Sequence, residues 1–111
     1  MIAWDHVQTL RDDIGEDDFH EIVVVFLDEV EEAMARISAC SGGEGVAETL
    51  HFLKGSALNL GFRTFAKLCE TEETALKTNT GPVNLERLTD TYAQSRRVFL
   101  HGLQLRLGDV G

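Results

Sequence analysis

A chain of 111 residues, 43% hydrophobic and 26% charged, has the balance of an ordinary globular domain: it can bury about two-thirds of its unfolded surface in one core but has no room for a second domain. Its formal net charge of -9 argues against nucleic acid and anionic membrane surfaces as partners, since both demand a cationic face. The two cysteines, Cys40 and Cys69, match no metal-ligand spacing, there is no charged-then-apolar leader, and the longest apolar run, residues 22–27, is too short to cross a bilayer. A single domain over residues 1–111, in a reduced cytoplasmic setting and with free thiols, is the expectation.

One proline, Pro82, and a few clustered glycines leave long stretches suited to helix. A short first helix is predicted from about Trp4 to Ile14, ending at Gly15, where a left-handed residue can stop it. Acidic Glu16, Asp17 and Asp18 favour the start of the second. That helix runs to about Ser38 on the stripe Phe19, Val23, Phe26, Val30, Ala33 and Ile37, spaced alternately by four and three. The run Ile22 to Leu27 alone reads equally as a strand; its helix-forming flanks and the periodic continuation decide for helix.

Ser41-Gly42-Gly43 breaks the chain before a third helix, about Glu44 to Leu60, with Gly61 placed to cap its end. A fourth, about Phe62 to Thr78, is expected to bury Phe65, Leu68, Cys69 and Leu76 before the turn residues Asn79-Thr80-Gly81-Pro82. Asn84 can cap a fifth helix from about Leu85 to Leu107, whose inward stripe is Leu88, Tyr92, Ser95, Phe99 and Leu103, with Arg96 and Arg97 outside; the last four residues should fray. Short connections favour antiparallel neighbours. The expected fold is all-α, an up-down-up-down four-helix bundle with the first helix across one end.

The third helix separates into two stripes. Val46, Leu50, Leu53, Ala57 and Leu60 form the core side, and His51 is turned roughly 100° or more from it, so its imidazole should reach solvent. An exposed imidazole, ordinarily titrating near pH 6.5, is mostly neutral and nucleophilic at neutral pH. Lys54, Gly55 and Leu58 follow on the same face. A glycine inside a helix costs about 1 kcal/mol relative to alanine, and at Gly55 the gain to set against it is clearance beside the imidazole, although a close helix crossing would explain it too. Leu58 is an apolar residue on an otherwise polar strip, suited to docking; Val24 and Leu27 on the second helix are either core or an extension of that patch. Ser56 and Asn59 point to other flanks and can bond either to backbone or to a docked partner. His6, His20 and His101 read as ordinary surface residues. The acidic stretches 16–18 and 70–73 read as helix ends and solvated faces.

The segment His51-Phe52-Leu53-Lys54-Gly55-Ser56, followed by Asn59-Leu60-Gly61, resembles the H-x-L-K-G-S and N-x-G signature of histidine phosphotransfer (HPt) domains. The likeness extends more loosely over the chain: Phe26-Leu27-Asp28-Glu29 is similar to the family's apolar-then-acidic second helix, and Leu68-Cys69-Glu70 to its fourth. One departure is Glu72, where the family often has an apolar residue. Gly61-Phe62 resembles the phosphotransfer domain at the start of chemotaxis kinases, but no kinase follows, and a free-standing carrier is expected.

The resemblance implies that His51 carries a phosphoryl group between aspartates of receiver domains, in response regulators or hybrid histidine kinases, with Lys54 beside the phosphoryl group. Magnesium would belong to the partner receiver, and the chain itself would hold no cofactor or metal. It shows no phosphate-cradling glycine loop or Walker-type lysine, so it is not expected to be a kinase. The alternative is an HPt-like interaction module that binds a kinase or regulator without turnover. A metal-binding bundle is third, because no pair of helices supplies the inward Glu and Glu-x-x-His sets such a site needs.

Overall fold

A computed structural model describes residues 2–39, 45–78 and 83–106. They form five helices: α1 (Trp4–Ile14), α2 (Glu16–Ala39), α3 (Val46–Asn59), α4 (Arg63–Lys77) and α5 (Leu85–Arg106). The expected bounds hold to within about two residues. The breaks at 41–43 and 79–82, the start at Glu44, Cys40, Leu107 and the last four residues lie outside the described residues.

Each boundary has a local cause. The Gly15 N–H donates to the Arg11 carbonyl to close α1, and three acids open α2 at the positive end of its dipole. At the end of α3 the Phe62 N–H reaches the Ala57 carbonyl (2.8 Å) and the Gly61 N–H reaches the Leu58 carbonyl (3.2 Å), the paired bonds of a Schellman cap. Gly61 takes φ +82°, and a β-carbon there would lie 3.1 Å from both the Ala3 oxygen and Val7 Cγ2, so conformation and space both demand glycine. The Asn84 side chain accepts from the Arg87 N–H (3.0 Å), capping α5 as expected.

The predicted stripes are the core. All six residues of the α2 stripe and all five of the α3 stripe are buried, as are Phe65, Leu68 and Cys69 of α4 and Leu88, Tyr92, Ser95 and Phe99 of α5. Leu76 and Leu103 are partly buried against them. Leu27 and Met34 are buried too. They widen the apolar face of α2 beyond a four-three stripe, so Leu27 is core and not part of a docking surface.

The rings of Phe26, Phe99 and Tyr92 gather round Phe62 at centroid distances of 5.1, 5.0 and 6.4 Å. Helix α2 packs on α3, α3 on α4, α4 on α5, and α5 returns to α2, so contacts run round a closed ring. Helix α1 packs on α2, and its leading segment is clasped to the α3–α4 corner by an Ala3 N–H bond to the Gly61 carbonyl (2.7 Å). The His6 Nε2–H donates to the Asn59 carbonyl (2.7 Å), tying α1 to the end of α3.

Trp4 stacks on Phe99 (5.9 Å, 8° between planes) and lies directly over Gly102, where any β-carbon would overlap the indole. Gly102→Ala is therefore expected to lose stability despite the better helix propensity of alanine. Overpacking costs roughly 1–3 kcal/mol against a propensity gain of about 1, and a net fall of about 1 kcal/mol in urea unfolding checks it.

Candidate functional site

The exposed face of α3 carries the site, and α4 supplies its electrostatics. The His51 side chain is 72% exposed, and its Nδ1 lies 3.4 Å from Glu73 Oε2 on α4. The same carboxylate oxygen is held by Lys77 Nζ at 3.2 Å, one turn further along α4. Burial opposes ionisation of Glu73, but Lys77, with His51 adding to it, outweighs that penalty and keeps its pKa below the usual carboxylate value. His51 Nε2 has no partner among the described residues. The imidazole thus has one nitrogen against an anion and the other facing solvent.

Lys54 takes a different place from the one its spacing suggests. Its Nζ lies 3.0 Å from Glu70 Oε2 on α4 instead of standing free beside the imidazole, and Lys67 holds the other oxygen of Glu70 at 3.3 Å. Hydrogen bonding and charge attraction within this cluster raise the Lys54 pKa and lower that of Glu70. Two carboxylates on α4, each shared between a residue of α3 and a lysine of α4, therefore run beside His51 and Lys54.

The acidic stretch 70–73 departs from the reading as a solvated face. Glu72 and Glu73 are both buried, because α4 continues its core positions from Phe65 and Cys69 through 72. Glu72 Oε1 accepts from the Asn84 N–H (2.9 Å), so the carboxylate stands at the start of α5, where backbone donors are unpaired and the dipole is positive. The departure from an apolar residue at this position is a capping device. Cys69 is buried, and desolvation, with Glu72 adding to it, pushes its thiol up to about 12, so it serves as core.

Gly55 is exposed, and a β-carbon built on it meets no atom within 4 Å. Close helix crossing therefore does not explain the glycine, and nothing in the fold itself offsets its helical penalty. Leu58 (49% exposed) and Val24 (47%) are exposed apolar side chains, and so are Ile22, Val25 and Phe52, which sequence spacing did not single out. Ser56 and Asn59 lie on the far flank from Lys54, lining a groove of about 670 Å³ with Ile22, Val25 and Leu10. Among the described residues no three His, Cys, Asp or Glu side chains are grouped so as to hold a metal ion.

The family model of the Hpt domain matches residues 21–107, most of the chain and all of α3 and α4. The chain belongs to the histidine phosphotransfer family. No curated protein and no solved structure matches it. The HPt match runs from Glu21 within α2 through α5 and leaves the first turn of α2 and all of α1, with its Trp4 and His6 anchors, outside it. Among the described residues of this HPt chain no helix is long and apolar enough to cross a membrane.

Glu70 and Glu73 are the site residues that sequence reasoning missed. A faint signal exists, since 70, 73 and 77 recur at helical spacing, but only the packing of α4 on α3 shows that they face His51 and Lys54. The carboxyl of Glu73, with its pKa lowered in the fold, stabilises the protein at pH values above its unfolded pKa. That contribution is lost as pH falls through the lower folded pKa. Glu73→Gln is expected to flatten this acid limb of the stability profile, as measured by urea unfolding between about pH 6 and 3.

Proposed function

We propose that this chain is a phosphoryl carrier of a two-component phosphorelay, accepting on His51 the phosphoryl group of a receiver-domain aspartyl phosphate and passing it to the aspartate of another receiver. The observation that carries this reading is an imidazole 72% exposed, with Nδ1 beside Glu73 and Nε2 free. The carboxylate favours the tautomer with a proton on Nδ1, which puts the nucleophilic lone pair on Nε2.

In the transfer, Nε2 attacks phosphorus, the bond to the aspartyl oxygen breaks, and the aspartate leaves as a carboxylate. The ring keeps its Nδ1 proton and gains positive charge, which Glu73 neutralises. In the reverse direction the receiver's carboxylate attacks the same phosphorus and neutral imidazole departs. The receiver contributes the aspartate and the magnesium that offsets charge on the phosphoryl oxygens. The carrier contributes a placed nucleophile and clearance, with no resident cofactor and no ATP site of its own.

Receivers of response regulators or hybrid histidine kinases are the proposed partners, docking over Leu58, Val24, Ile22, Val25 and Phe52 with Ser56 and Asn59 at the edge. The ring of helix contacts and the short connections support an antiparallel up-down-up-down arrangement of α2 to α5 in one domain over residues 1–111. A cytoplasmic setting follows from the proposed partners.

The test is incubation with phosphorylated receivers, with an acid-labile, base-stable label on His51 as the expected result. A receiver that binds the chain tightly while leaving His51 unlabelled would establish the interaction module instead.

A further inference from the structure

Around His51 two carboxylates of α4, Glu70 and Glu73, each have two partners, one from α3 and one lysine from their own helix. Glu73 has His51 and Lys77; Glu70 has Lys54 on Oε2 (3.0 Å) and Lys67 on Oε1 (3.3 Å). The two oxygens of Glu70 are thus occupied separately, and losing Lys54 would leave the carboxylate still paired. Lys54 is one turn from His51 on the same helix, close enough for a phosphoryl group on Nε2 to compete for its ammonium. A phosphoryl group carries up to two negative charges and three acceptor oxygens, against the single charge of Glu70, which retains Lys67.

We propose that Glu70 is a positioning residue that holds Lys54 off the unmodified His51 and yields it to the phosphoryl group, remaining on Lys67, so that competition for one ammonium sets how strongly phosphohistidine is favoured. This rests on His51 as the phosphorylated residue. It gives α4 a function in the transfer equilibrium that the α3 signature alone does not contain. The raised pKa of Lys54 agrees with an ammonium committed to Glu70, and the attraction of Glu73 for the same lysine joins the two carboxylates in one network.

The test uses phosphoramidate as donor, so that it does not depend on finding the receiver. Nε2 attacks its phosphorus, the P–N bond breaks and ammonia leaves, and at a fixed phosphoramidate-to-ammonia ratio the ratio of phosphorylated to free His51 is read by NMR. Glu70→Gln is expected to raise that ratio about two- to fivefold, the range of a partly exposed ion pair, and Lys54→Met to lower it. In the Lys54→Met background, Glu70→Gln should have no further effect.

Removing Glu70 also removes a negative charge near the phosphoryl group, and the double variant separates the two causes. A rise of equal size with and without Lys54 would mean simple repulsion and would overturn the proposal, as would no rise at all. Both side chains are partly exposed, and unchanged helical circular dichroism verifies the fold of each variant. A chain that shows this pattern with phosphoramidate but takes phosphate from no receiver would overturn the carrier reading while supporting the competition for Lys54.

Discussion

His51→Gln is expected to abolish phosphoryl acceptance from any receiver while leaving helical content and stability nearly untouched. The glutamine amide nitrogen is not nucleophilic at neutral pH, whereas the carrier reading asks for a neutral nitrogen lone pair at this position. Little packing is lost, because the ring is 72% exposed, and Glu73 keeps Lys77 at 3.2 Å when the imidazole is gone. The change in unfolding free energy should therefore stay within about 0.5 kcal/mol, as for other exposed substitutions. Quantitative labelling with a phosphorylated receiver, alongside circular dichroism, checks both halves. The other histidines set the contrast: His6 is tied to the Asn59 carbonyl, and His20 and His101 are exposed with no ion pair to a carboxylate among the described residues. If the variant took label at wild-type level, exposure alone would be the requirement and His51 would not be the site.

What the sequence makes legible here is what helical periodicity and punctuation record. The stripes of α2 and α3 could be read directly because burial repeats every three or four residues, and Gly15, Gly61 and Asn84 end or begin helices through their own backbone or side-chain chemistry. The exposure of His51 followed from its angle to the α3 stripe. Leu27 escaped that reading because a bundle helix buries a face wider than a single stripe, and position 27 sits at its edge.

The electrostatics were not legible, for a different reason. Charged residues are read as solvated by default, and only the register between two helices shows which carboxylate meets which cation. Nothing local to Lys54 says that Glu70 will claim it, and nothing local to Glu73 says that it will lie against an imidazole 22 positions earlier. The groove beside Ser56 and Asn59 depends likewise on where α1 comes to rest, which hydrophobic spacing in α1 does not determine. The HPt signature points to His51, the proposed phosphoryl acceptor; only the packing of α4 on α3 shows the carboxylates that lie against it and Lys54.

Gly55→Leu should separate stability from function in opposite directions. A glycine in the middle of an exposed helix forfeits about 0.8–1 kcal/mol relative to a good helix former. A β-carbon at position 55 meets nothing within 4 Å, so the first atom of a new side chain brings no steric penalty from the fold. The variant is therefore expected to gain about 0.5–1 kcal/mol in urea unfolding. Transfer should move the other way, because the added side chain stands one turn after His51 on the strip a receiver must approach, and a displacement of about 1 Å at the reacting atoms can cost on the order of a hundredfold in rate. Stopped-flow transfer from a phosphorylated receiver, with Gly55→Ala as the smaller step, measures the loss. Alanine should show nearly the same stabilisation with a much smaller fall in rate, since its single methyl adds propensity without reach. Wild-type transfer by the leucine variant would refute clearance as the reason for the glycine and return that residue to the category of tolerated helix defects.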